Sequence, residues 1–150
     1  MVKKRLPAVL LVTLAIATLI PLASQPAAAH GTCTATALQP KKVGDIAGHL
    51  YGTGTYNCTD GNAKMTIKVE LQFRLGVDVY ARATTTNTKI QAMNISATSD
   101  YGCGINPGPP IAAWWRTHIV YARGINSSGV IVHEATHVYS NFVPILDCLP

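Results

Sequence analysis

Charge is scarce in this chain: Asp, Glu, Lys and Arg make up only 13% of its 150 residues, and the acidic residues number seven. The formal balance of +5 overstates what a partner would meet, because Lys3, Lys4 and Arg5 stand at the extreme N-terminus. Beyond them nine basic residues face seven acidic ones, leaving +2. So small and scattered an excess excludes a nucleic-acid partner. Other absences narrow the chemistry further. With no C-x-x-C pair, cysteine ligation of a metal is disfavoured. No G-x-S-x-G elbow accompanies Ser127 or Ser128, which removes the usual setting of a serine nucleophile. A glycine-rich phosphate loop is also missing, so no nucleotide cofactor is implied. No helical periodicity is convincing before residue 128.

What is present begins with a leader. M-V-K-K-R precedes an apolar run to about Ser24, followed by Q-P-A-A-A-H with small residues at Ala27 and Ala29. That is the layout of a secretory signal peptide, expected to span residues 1–29 and to be cleaved, leaving no stable membrane anchor. Pro7 and Pro21 and the alanine-rich exit weigh against a retained transmembrane span. Residues 30–150 then form a single domain outside the cell. It holds all four cysteines, Cys33, Cys58, Cys103 and Cys148. An even count after an export signal predicts two disulfides. Three pairings exist in principle. Cys33–Cys58 with Cys103–Cys148 is favoured because nested or crossed links need longer excursions between strands.

The clearest local pattern is K-M-T-I-K-V-E-L-Q-F-R, Lys64 to Arg74. Met65, Ile67, Val69, Leu71 and Phe73 alternate with Lys64, Thr66, Lys68, Glu70, Gln72 and Arg74, which predicts a strand with one dry and one wet face. Leu50 to Cys58 reads as the strand before it, and Thr59 to Asn62 (T-D-G-N) as a turn making the two a hairpin. Val77 to Ala83 alternates again, Lys89 to Ser99 is a weaker strand, and Pro107 to Pro110 forces a connection. Ala112 to Arg123, rich in β-branched and aromatic residues, is a further strand. Its Trp114 and Trp115 are expected to divide, one into the core and one half exposed. Together these segments predict an all-β, immunoglobulin-like β-sandwich of about seven strands with two disulfides.

The stretch V-I-V-H-E-A-T-H-V-Y-S-N, Val130 to Asn141, is the one motif that names a chemistry. On a helix, His133 and His137 would stand one above the other and could share a zinc ion, with Glu134 as general base. Ile131, Ala135, Val138 and Phe142 would give that helix an apolar stripe. However, Val130, Ile131, Val132, Thr136, Val138 and Tyr139 are better strand formers. In a strand the two histidines share a face but lie about 13 Å apart, too far for one zinc. Candidates for a third ligand (His49, Glu70, Asp78, His118 and Asp147) have no spacing that selects one. The strand is therefore expected, with no catalytic or metal-binding residue. The zinc peptidase with Glu134, His133 and His137 is the alternative.

The motif H-E-A-T-H alone is similar to the zincin metallopeptidases. Across the chain the layout resembles a loose group of small secreted actinobacterial proteins for which no activity is known. The shared features are Y-N-C-T-D-G with the alternating strand after it (Tyr56 to Arg74), a mid-chain cysteine, W-R-T-H (Trp115 to His118) and a terminal cysteine, Cys148. The resemblance implies a two-disulfide β-sandwich whose final segment is a strand. The sequence thus predicts a secreted, non-enzymatic binding or structural module without a cofactor. Its unidentified extracellular ligand is expected on the strand bearing Trp114, Arg116 and His118.

Overall fold

The computed structural model describes residues 31–44, 48–104 and 111–150. The proposed leader and the Pro107–Pro110 connection lie outside them. The described residues are all-β, with seven strands in one antiparallel sheet. In order these are β1 (Cys33–Ala37), β2 (Lys41–Val43), β3 (His49–Leu75), β4 (Asp78–Gly102), β5 (Ala112–Ile125), β6 (Ile131–Tyr139) and β7 (Val143–Leu146). Two long strands, β3 and β4, pair along nearly their whole length from Leu75↔Asp78 back to His49↔Gly102. The first half of β3 takes β1 and β2 on its other side, and the second half takes β5. Strand β5 in turn carries β6 and β7.

The expected hairpin at Thr59–Asn62 is corrected: the chain runs on through these residues as part of β3. Turn-forming side chains are accommodated there as a register shift, since Asn57 pairs with Asn94 while Asn62 already pairs with Ala92. Just past the shift, Gln91 adopts φ 50°, a left-handed conformation that a non-glycine residue adopts only under constraint. This is the corner about which the sheet curls. The two segments expected at Val77–Ala83 and Lys89–Ser99 likewise fuse into β4.

Curling brings the two halves of the sheet face to face. Gly52 and Gly54 of the first half lie against Leu71, Thr117, Val69 and Ile119 of the second, so closely that a Cβ at Gly54 would sit 2.7 Å from Val69 Cγ2. Ser99 Oγ donates to the Val69 carbonyl across the layers at 2.7 Å. The predicted dry face of Lys64–Arg74 forms the core: Met65, Ile67, Val69, Leu71 and Phe73 are all buried. One cluster gathers them around Tyr56, Ile95, Ile119 and Ala122, and another around Leu50, Leu71, Phe73 and Trp115.

Both disulfides have the favoured pairing, Cys33–Cys58 and Cys103–Cys148, and no cysteine is free. The first ties β1 to β3 beside the corner; the second ties the end of β4 to the segment after β7. Closing loops of these lengths contributes roughly 3–4 kcal/mol each on the chain-entropy model. Among the described residues no helix is long and apolar enough to cross a membrane.

Candidate functional site

The segment Val130–Asn141 lies mainly in strand β6, so the helix that the zinc reading needs is absent there. Nor do the two histidines share a face, as simple strand alternation predicts. Opposite β3, Val120 is left over between the pairs Lys68↔Tyr121 and Val69↔Ile119. Opposite β5, His137 is skipped between Thr136↔Tyr121 and Val138↔Ile119, and its φ of 54° is left-handed. Val120 is extra relative to β3, and His137 stands opposite it in the β5–β6 ladder, so the alternation reverses in both strands. Val138 and Ala135 both pack on the core, and His133, two residues before Ala135 and paired with Gly124, follows them. His137 turns to the outer face, where its ring meets His118 and Tyr139. Glu134 holds Arg123 at 2.5 Å. Among the described residues, no three His, Cys, Asp or Glu side chains are grouped so as to hold a metal ion.

What the register does assemble is a polar cluster on the outer face of β3, β5 and β6. Glu70 lies opposite His118, Gln72 opposite Arg116 and Arg74 opposite Trp114, while Tyr139 of β6 lies opposite His118. Directly paired residues project on the same face. Arg116 Nε–H donates to Gln72 Oε1 at 2.9 Å, leaving Gln72 Nε2–H to donate to Glu70 Oε2 at 3.0 Å. His118 Nδ1 closes the triangle, 2.8 Å from Gln72 Nε2 and 3.1 Å from Glu70 Oε2. Its Nε2 is 3.2 Å from His137 Nδ1.

Two proton arrangements fit. In one, His118 Nδ1–H donates to Glu70 and His137 Nδ1–H donates to His118. In the other, His118 Nδ1 accepts from Gln72 and Nε2–H donates to His137. The His118–His137 link persists in both.

Although this is the outward face, Gln72 and His118 are 8% and 5% exposed. The ring of Tyr139 stacks on His118 at 4.4 Å. Burial lowers the His118 pKa below its ordinary 6.5, against the raising effect of the Glu70 hydrogen bond and charge. Burial likewise lowers the Arg116 pKa, with Tyr139 acting the other way.

Over and beside this cluster runs a ladder of cations and rings. The Arg116 guanidinium lies 4.1 Å from the Tyr139 centroid and 4.6 Å from that of Phe142. Arg74 lies 4.9 Å from Phe142 and 5.4 Å from Trp114. Trp114 and Tyr139 are 42% and 45% exposed, whereas Trp115 is fully buried. Its Nε1–H donates to the Cys148 carbonyl at 2.9 Å.

The structure therefore places the sequence-predicted trio Trp114, Arg116 and His118 on one face, with His118 beneath the surface. Sequence reasoning missed the roles of Gln72, Arg74, Tyr139 and Phe142, and considered Glu70 and His137 only as zinc ligands. A usable signal existed for part of this: the wet side of Lys64–Arg74 has the same two-residue period as Trp114, Arg116 and His118. Comparison with known families, curated proteins and solved structures finds no match to this chain.

Proposed function

We propose that the protein is a non-enzymatic extracellular binding module that takes its ligand on the outer face of β3, β5 and β6. One observation carries this reading: the guanidiniums of Arg74 and Arg116 are interleaved with half-exposed rings. Trp and Tyr offer broad contact area at low conformational cost, and stacked guanidiniums keep their N–H edges available for a ligand. Buried polar groups beneath such a surface serve to hold Arg116 and Tyr139 in place.

Location outside the cytoplasm belongs to the same proposal, supported by two disulfides and by the export layout of the N-terminal sequence. So does the immunoglobulin-like reading of the fold, supported by two layers packed face to face. The test is an array of neutral glycans, acidic glycans and peptides, probed with the wild type and with a Trp114→Ala/Tyr139→Ala double variant of matched circular dichroism. Array ligands held by the wild type and lost by the double variant are expected. Equal binding by both proteins, or turnover of a bound ligand, overturns the proposal.

A further inference from the structure

Resting on that reading of the face, we infer the class of its ligand: an acidic glycan, whose carboxylate or sulfate groups pair with Arg74 and Arg116 while its sugar rings lie on Trp114 and Tyr139. The inference starts from how charge is distributed. Lys64, Lys68, Arg74, Arg116 and Arg123 share this face by strand pairing, against Glu70 and Glu134. Both acids are already engaged, Glu134 with Arg123 and Glu70 with His118 and Gln72. Arg74 and Arg116 make no ion pair with a carboxylate of the described residues, and both lie over the Phe142 ring within 5 Å of its centroid. Two like charges are thus fixed within 10 Å of each other, the most that those two distances allow, with neither ion-paired to a carboxylate of the described residues.

Fixing them on rings spends the side-chain entropy before a ligand arrives, and a planar guanidinium pairs with an oxyanion through two N–H groups. A simple inorganic anion would use the charges but leave the rings idle. A neutral glycan would use the rings but leave both guanidiniums unanswered. A peptide added to a sheet edge would use main-chain groups, whereas this surface presents side chains. Single-stranded nucleic acid also combines charge with flat rings, but it is drawn by a basic groove, and the chain beyond its first five residues carries only +2.

Affinity electrophoresis of the purified, disulfide-bonded protein separates these cases. The gels contain polygalacturonate, dextran sulfate or unmodified dextran, and oligothymidylate serves as competitor. Retardation by polygalacturonate or dextran sulfate, weakening as salt rises, is expected, with dextran inert. The stronger of the two polyanions identifies the anionic group. Arg116→Ala/Arg74→Ala should weaken retention at least tenfold, and Arg74→Ala alone, at an exposed site with no hydrogen bond to the buried cluster, several-fold. Retention that survives in both variants overturns the ligand class and the face together. Retention by dextran equal to that by the polyanions, lost in Trp114→Ala, overturns the ligand class and leaves the face standing. Failure of both polyanions to retard the protein, or displacement by oligothymidylate at lower concentration than by polygalacturonate, likewise overturns the ligand class.

Discussion

His118 shows how a single residue joins stability to the candidate site. Its imidazole is nearly inaccessible, between Glu70 and Gln72 on one edge and His137 on the other, under the Tyr139 ring. Burial disfavours the charged form, so the folded pKa lies below the ordinary 6.5. Between the folded pKa and 6.5 the unfolded chain binds more protons than the native one, so stability rises with pH there. The contribution is complete above 6.5, is lost as the pH falls below it, and levels off below the folded pKa. Urea midpoints taken from pH 8 to pH 4.5 should show this loss in the wild type. The profile of His118→Gln should be flatter, by at most about 1.4 kcal/mol per pH unit, the slope of one proton. Parallel profiles for the two proteins would remove His118 as the titrating group. The neighbouring carboxylate of Glu70 opposes the shift without reversing it. In a Glu70→Gln protein the loss should therefore begin at the same pH but continue to lower pH than in the wild type, and be larger in total.

At the scale of the element, β6 shows why a recognisable motif lacks the helical geometry by which its two histidines would share a zinc ion. Its β-branched residues make a strand, as their propensities predict, and a strand alone already separates His133 from His137. One further residue turns them to opposite faces: His137 in the left-handed region, matched by Val120 across the ladder. A left-handed conformation costs an ordinary residue roughly 1–2 kcal/mol, and a β-branched one more. Relative to His137→Gly, His137→Val should thus be less stable by at least about 1–2 kcal/mol, read as the difference in urea unfolding free energy. Equal stabilities would mean that the left-handed turn is not retained in solution. Alternation and propensity made β6, β5 and the second half of β3 legible in the sequence. The bulge was not, because no local pattern announces a left-handed histidine. Glu70 and His118 stand 48 residues apart, and only the register of β3 against β5 brings them together. T-D-G-N misled for the opposite reason: residues that suit a turn suit a corner in a continuous strand equally well.

At the scale of the molecule, the fold depends on two halves of one curled sheet approaching closely, and small residues permit that approach. Gly54 is the most demanding point. A Cβ there would meet Val69 Cγ2 at 2.7 Å and Ile119 Cγ1 at 2.8 Å, and both neighbours are fully buried in the shared core. Neither can swing into solvent, so an added methyl group must push the layers apart or force strained rotamers. Overpacking of this kind typically costs about 1–3 kcal/mol, and Gly54→Ala is expected to lose that much. Gly102 supplies the comparison, because it lies in the same pair of strands but has nothing within 4 Å of its own Cβ position. Gly102→Ala should change stability by less than about 0.5 kcal/mol, as surface substitutions usually do. Thermal unfolding followed by near-ultraviolet circular dichroism reads both, since Trp115 sits in the core between the layers. The damage should also reach the far face. Val69 and Ile119 flank Glu70 and His118 in sequence, so a displaced layer would loosen the backbone beneath Tyr139. If Gly54→Ala and Gly102→Ala unfold at the same temperature, the close approach of the two layers is not what holds the domain together.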